Sequence, residues 1–167
     1  MTVAIDPGVH FTAWAVFDCQ SATALVLGGG YVKSESVFEV VAPFFEGGHP
    51  VRVVIEKPVK YPDKKRTHKD IDRLLVVVKD LQKTFKNAGC EVTTIQPVQW
   101  KANTPKTIHQ KRIVDALTAT EMKKVLWPSK HLQHNVFDAL GLGLFATGRL
   151  GRGGRRFQSS SRTGSAC

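Results

Sequence analysis

Two acids in this chain end apolar runs, where a carboxylate is costly. Asp6 follows Val3-Ala4-Ile5 and precedes Pro7 and Gly8, the pattern of a buried strand entering a tight turn. Glu56 ends a second, β-branched run over residues 51–55, and Pro58 stops it. Carboxylates are seldom buried unless they are paired or hold a metal. Taken alone, Asp6 reads equally well as a residue capping its own turn. Two such acids at the ends of adjacent parallel strands would instead share one sheet edge and push each other's pKa upward, unless a cation lies between them. Asp138 is a third acid, on an apolar helix, and His134 lies four residues before it, so both project from one helical face. A lone histidine at a helix start is ordinarily a surface or capping residue; beside three acids it becomes a candidate ligand.

Positioning these groups takes a sheet with helices on it. Residues 3–5, 12–17, 24–27 and 31–37 read as an opening antiparallel meander, with Gly28, Gly29 and Gly30 as a loose hairpin turn. Residues 40–45 suggest a short helix end, 51–55 a strand buried on both faces, and 90–95 another strand. Between the last two, Ile71, Leu74, Leu75, Val78, Leu81 and Phe85 recur at helical spacing, Thr67 with Asp70 resembles a capping pair, and Gly89 is a good terminator. Val76 and Val77 widen that apolar arc beyond one sheet face, which suits either core burial or a second subunit. Thr107 with Gln110 and Thr118 with Glu121 mark two further helix starts, the first helix burying Ile108 and Leu117. Residues 131–147 form the last helix, whose glycines and alanines permit close packing. The reading is an α/β domain: a mixed central sheet, antiparallel strands first and parallel strands after, flanked by helices.

A chain of 167 residues, 42% hydrophobic, is long enough for one substantial core. Its formal net charge of +10 points to an anionic partner, most often nucleic acid. Two basic strips carry part of that charge. Lys57, Lys60, Lys64, Lys65 and Arg66 surround Tyr61, a mixture suited to phosphate contact with stacking on an exposed base. Lys101, Lys106, Lys111 and Arg112 lie in an acid-free stretch, residues 97–114. We expect a folded domain over residues 1–148 and a basic, Gly- and Ser-rich tail over 149–167, disordered, and either a DNA-contacting arm or an inert terminus. Nothing reads as a signal peptide or a membrane span. Three widely spaced cysteines disfavour both a disulfide framework and a zinc knuckle, so a reducing cytoplasm is expected.

Three segments together resemble the RuvC family of Holliday-junction resolvases in the RNase H-like superfamily, most like the short resolvases of bacteriophages. They are Ala4-Ile5-Asp6-Pro7-Gly8, Val54-Ile55-Glu56-Lys57-Pro58, and His134-Asn135-Val136-Phe137-Asp138-Ala139-Leu140-Gly141. Their order matches too, over residues 2–148. The resemblance implies an RNase H-like fold and makes Asp6, Glu56 and Asp138 metal ligands. The family's fourth ligand stands three residues before the last acid, where this chain has Asn135; His134, one residue earlier, is the candidate for its role. The implied cofactors are two Mg²⁺ or Mn²⁺ ions about 3.5–4 Å apart, with no small-molecule cofactor. Asp6 would bridge both ions, Glu56 and Asp138 would each complete one site, and His134 would bind an ion or orient water, favouring Mn²⁺.

The implied activity is resolution of four-way or other branched DNA by paired symmetric nicks, in the cytoplasm of a bacterium or a phage-infected host. Two symmetric cuts make a homodimer economical, with the helix over 71–85 as candidate interface. Two alternatives stay open: another RNase H-like nuclease acting on flaps, forks or hybrids, and a protein that binds branched nucleic acid without cutting it.

Overall fold

The computed structural model describes residues 1–21, 23–45, 50–60 and 68–151, with the backbone alone of His68. Among these residues five strands form one sheet: β1 (Thr2–Asp6), β2 (Phe11–Asp18), β3 (Leu25–Lys33), β4 (Arg52–Glu56) and β5 (Glu91–Ile95). Their order across the sheet is β3-β2-β1-β4-β5. The first three are antiparallel neighbours, and β4 and β5 add in parallel on the other side of β1. The mixed sheet expected from the sequence is therefore present. Among the described residues six α-helices accompany it: α1 (Val37–Val41), α2 (His68–Asn87), α3 (Pro97–Trp100), α4 (Lys106–Ala116), α5 (Ala119–Lys123) and α6 (Gln133–Ala146).

Alternation along the strands sorts side chains onto two faces. Val3, Ile5, Trp14, Val16, Val53 and Ile55 face α1 and α2, and pack with Val37, Val41, Val78, Leu81 and Phe85. Ala4, Ala13, Ala15, Phe17 and Val54 face α6, and pack with Val136, Ala139, Leu140 and Leu144. The alanines let α6 approach closely, and so do its glycines. A Cβ on Gly143 would stand 1.9 Å from Phe17 Cε2, and one on Gly141 would stand 2.7 Å from Ile113 Cδ1. This close seat holds Asp138 against the sheet.

Three expectations change. Gly28–Gly30 do not turn the chain: they lie inside β3, and the β2–β3 connection falls at residues 19–24. The missing side chains leave room for aromatic rings, since a Cβ at Gly28 would meet Phe44 Cζ at 3.0 Å and one at Gly30 would meet Trp14 Nε1 at 3.3 Å. In α4 the helix begins at Lys106 after Pro105, with no side-chain cap, so Thr107 is not a cap. His109 and Ile113 are its buried residues, while Ile108 is exposed. The Thr118–Glu121 capping box is present.

The fold also continues past residue 148. Arg149 reaches back to the Ala24 carbonyl at 2.8 Å, to Glu121, and to the Ala116 carbonyl, and Leu150 is buried. A single buried carboxylate at residue 121 draws Arg149 out of the expected tail. Residues 152–167, and the suggested cap at Thr67, lie outside the described residues. Gly89, with φ +80°, ends α2 in the left-handed conformation that favours glycine. Among the described residues no helix is long and apolar enough to cross a membrane, and Cys19 and Cys90 are free.

Candidate active site

The parallel register that sets Ile5 beside Ile55 carries Asp6 and Glu56, one residue further on, to the same carboxyl edge of the sheet. Helix α6, seated across β1 and β2, brings Asp138 to that edge. The chain after β5 supplies what the sequence reading did not foresee. Trp100, fully buried at the end of α3, donates its Nε1–H to Glu56 Oε2 at 2.8 Å. Lys101 turns inward beside it. Its Nζ lies 3.1 Å from Glu56 Oε2, 3.3 Å from Glu56 Oε1 and 3.0 Å from Asp138 Oδ2. Ala102 follows with φ 51°, a left-handed conformation that costs a non-glycine residue of order 1 kcal/mol.

Lys101 was expected on a DNA-facing surface; here it is the internal cation of an acid cluster. The Gln96-Pro97 break directly after β5 marks where the chain turns, but only the pairing of β5 with β4 sets the next helical turn at the edge shared by Asp6 and Glu56.

Burial, then the charges of Glu56 and Asp138, hold the Asp6 carboxyl well above the ordinary carboxylate range, with Lys101 opposing them. Glu56 is also raised, chiefly by burial and in part by Asp138, against the opposing Lys101 and Trp100 hydrogen bonds. Burial disfavours a charged Lys101, but Glu56, Asp138 and Asp6 outweigh it and raise its pKa. Burial is therefore the main reason the Asp6 and Glu56 carboxyls hold their protons, with repulsion between the acids adding to it and Lys101 offsetting part of it.

Three carboxylates are hard oxygen donors that suit Mg²⁺ or Mn²⁺, and the Lys101 ammonium marks the place where they stabilise positive charge. With Lys101 between Glu56 and Asp138, no three His, Cys, Asp or Glu side chains among the described residues are gathered to hold an ion as they stand.

The structure brings Asp6, Glu56 and Asp138 together electrostatically, but it does not join His134 to them. That ring stands one turn before Asp138 on α6, and its Nδ1 faces the His131 carbonyl at 2.9 Å. Another histidine is closer to the cluster's support. His109 on α4 packs against Trp100, with ring centroids 5.0 Å apart, and neither of its nitrogens has a partner among the described residues. Burial lowers its pKa, and the Asp138 charge opposes that shift.

Of the basic residues, Lys57, Lys106 and Lys111 are exposed, Arg112 is half-buried, and Lys60 pairs with Asp72. Tyr61, Lys64, Lys65 and Arg66 lie outside the described residues. On the far side of Asp6, Tyr31 shares its face of the sheet; burial and then the Asp6 charge raise the Tyr31 phenol.

No protein-family model matches the chain, and no curated protein matches it by sequence. Solved structures do match. Thermus thermophilus RuvC in complex with a Holliday junction substrate is 22% identical, with a TM-score of 0.59 over 88% of this chain and 90% of that one. RuvC of the same organism in a second structure is 20% identical, with a TM-score of 0.59 over 88% and 92%. A fowlpox virus resolvase, in complex with its substrate Holliday junction DNA, is 17% identical, with a TM-score of 0.52 over 90% and 100%. The chain shares the fold of these proteins, and the fold class expected from the resemblance, RNase H-like, is the one observed.

Proposed function

We propose that this chain is a RuvC-type, divalent-metal-dependent endonuclease that resolves four-way DNA junctions by paired nicks. The observation that carries the reading is the pairing of Glu56 and Asp138 on one lysine ammonium at the carboxyl edge of the sheet, where the β1–β4 register also brings Asp6. These acids stand on a fold shared with two proteins solved on Holliday junctions. Asp6 and Glu56, rigid at strand ends, and Asp138, clamped by the close seat of α6, would hold the ions. Divalent ions there supply activation of water and stabilisation of the leaving oxygen in an in-line displacement. Admitting them requires Lys101 to swing off Glu56 and Asp138, and its ammonium is then free to meet a phosphate. Trp100 keeps the Glu56 carboxylate oriented throughout.

The exposed Lys57, Lys106 and Lys111 would contact the phosphate backbone, giving affinity without base reading. Two symmetric nicks call for a twofold dimer. Helix α2 is the candidate interface: Val76 is 57% exposed on a helix whose Val78, Leu81 and Phe85 are buried.

One observation favours a second reading, a protein that binds branched DNA without cutting it: the Lys101 ion pairs already partly neutralise Glu56 and Asp138. A cleavage panel separates the two. A four-way junction, a fork and a linear duplex of matched sequence are incubated with Mg²⁺ or Mn²⁺. Paired nicks confined to the junction support resolution. Equal cutting of fork or duplex replaces it with a general structure-selective nuclease, and binding without cutting supports the second reading.

A further inference from the structure

The edge of the sheet that carries the acids holds another feature that the proposed chemistry leaves unused. Phe11, which opens β2, is 46% exposed, and its ring stacks on that of Tyr31 in β3, with centroids 5.4 Å apart and planes 19° from parallel. Register places the pair. Asp6 faces Ala13, and Ala13 faces Tyr31, so the three form one row across β1, β2 and β3 with side chains on the same face. Two inter-strand spacings put Tyr31 about 10 Å from Asp6, with Ala13, buried in the core under α6, between them. Phe11 is two residues before Ala13 and so shares that face. Its partner in register is Lys33, an exposed lysine at the end of β3. Helix α6 covers the inner part of this face but leaves Phe11 open. The result is an aromatic stack whose outer ring, Phe11, is half exposed, with a cation beside it, on the opposite side of Asp6 from Glu56.

We infer that Phe11 and Tyr31 form a stacking platform for an unpaired nucleobase flanking the cleaved phosphodiester, with Lys33 on an adjacent phosphate. The inference rests on the nuclease reading for the position of the strand. Its chemistry is independent of that reading: every base has a π-face that stacks on an aromatic ring, and a neighbouring ammonium neutralises the backbone. The exposed Lys33 beside the rings favours an anionic strand over a neutral ligand at this surface. At a branch point, bases near the crossover lose a stacking neighbour, and the platform supplies one. The platform thereby favours strands that can unstack next to the scissile bond, which is a criterion of structure rather than sequence.

Two measurements test it in the full chain carrying Asp6→Asn to prevent cutting. In the first, 2-aminopurine is placed in turn at the positions flanking the branch of a four-way junction. One position should be quenched on binding, the quench should be lost in Phe11→Leu, and Phe11→Trp should restore it. In the second, a short oligothymidylate is titrated without any junction. Phe11→Leu should weaken binding about tenfold or more, and Lys33→Gln should reduce the slope of log affinity against log salt by about one. Phe11 is exposed, so Phe11→Leu should remain folded, and thermal unfolding of the variant checks this. The platform is overturned if Phe11→Leu binds oligothymidylate like its parent, or if it keeps the parent's quenching pattern. The oligonucleotide result stands whether or not the chain cuts junctions, so loss of the nuclease reading in the cleavage panel is a separate outcome.

Discussion

Replacing Lys101 with Met removes the internal cation and keeps most of the stem's bulk. Glu56 and Asp138 then lose contacts of 3.0 to 3.3 Å, and Asp6 loses the positive charge that opposes its two acidic neighbours. Breaking a fully buried pair by removing one partner costs about 3–5 kcal/mol. Here the Lys101, Glu56 and Asp138 side chains keep 23%, 13% and 23% of their exposure, so solvent screens part of this, and the expected loss is about 2 kcal/mol at pH 7.5 in chelator.

The sign with pH follows from the raised carboxyls. A group whose folded pKa lies above its unfolded value binds its proton first in the folded state, so it destabilises the fold only as pH rises past the unfolded value and through the folded one. The deficit of Lys101→Met relative to the parent should therefore be small near pH 4 and full at pH 7.5. Millimolar Mn²⁺ should recover it, stabilising the variant more than the parent because no ammonium must be displaced; saturation a hundredfold above Kd is worth about 2.7 kcal/mol. Urea unfolding followed by tryptophan fluorescence measures all three. A deficit that does not change with pH, or an Mn²⁺ effect no larger in the variant than in the parent, refutes the reasoning.

Arg149→Leu strands the nearly buried Glu121. Burial alone would raise that carboxyl, but the Arg149 hydrogen bond, with the amides of Thr118 and Val26, brings it from 4.5 to about 2, worth about 3 kcal/mol at neutral pH. Because the folded pKa is depressed, the loss should be complete above about pH 5 and fade as pH falls toward 2, as read from urea midpoints across that range. Gly143→Ala drives a methyl into Phe17, and thermal unfolding should show a loss of about 1–3 kcal/mol or more as α6 is pushed off β2. Ala102→Gly relieves the left-handed φ of 51° and should be neutral to stabilising, by up to about 1 kcal/mol in chemical denaturation.

Asp6 and Glu56 were legible as a pair because each breaks an apolar run at the point where a parallel sheet ends, and strand pattern alone carries that information. Asp138 was legible through the small residues that follow it on α6. Lys101 was not, because a lysine in a basic stretch looks like surface until β5 is known to lie beside β4 and to return Trp100 to Glu56. That is a tertiary fact with no local period. Gly28–Gly30 misled for the opposite reason: their local signature is a turn, and only the Phe44 and Trp14 rings explain why a strand omits its side chains there. Ile108 misled because it was judged by hydrophobicity alone: it lies nine residues from Leu117 and so on the opposite helical face, whereas His109 and Ile113, four apart, share the face that α4 buries. Arg149 was absorbed into the compositional bias of the residues that follow it, although Glu121, 28 residues earlier, already required a partner.

The most direct test of the central claim is single-turnover cleavage of a four-way junction by the parent chain and by Asp6→Asn, each in Mg²⁺, in Mn²⁺ and in chelator. If the three carboxylates hold the ions that cut DNA, the parent nicks the junction only with divalent metal, and Asp6→Asn binds it without nicking it under any condition. Cleavage that survives in chelator, or that Asp6→Asn retains at the parental rate, would contradict the account.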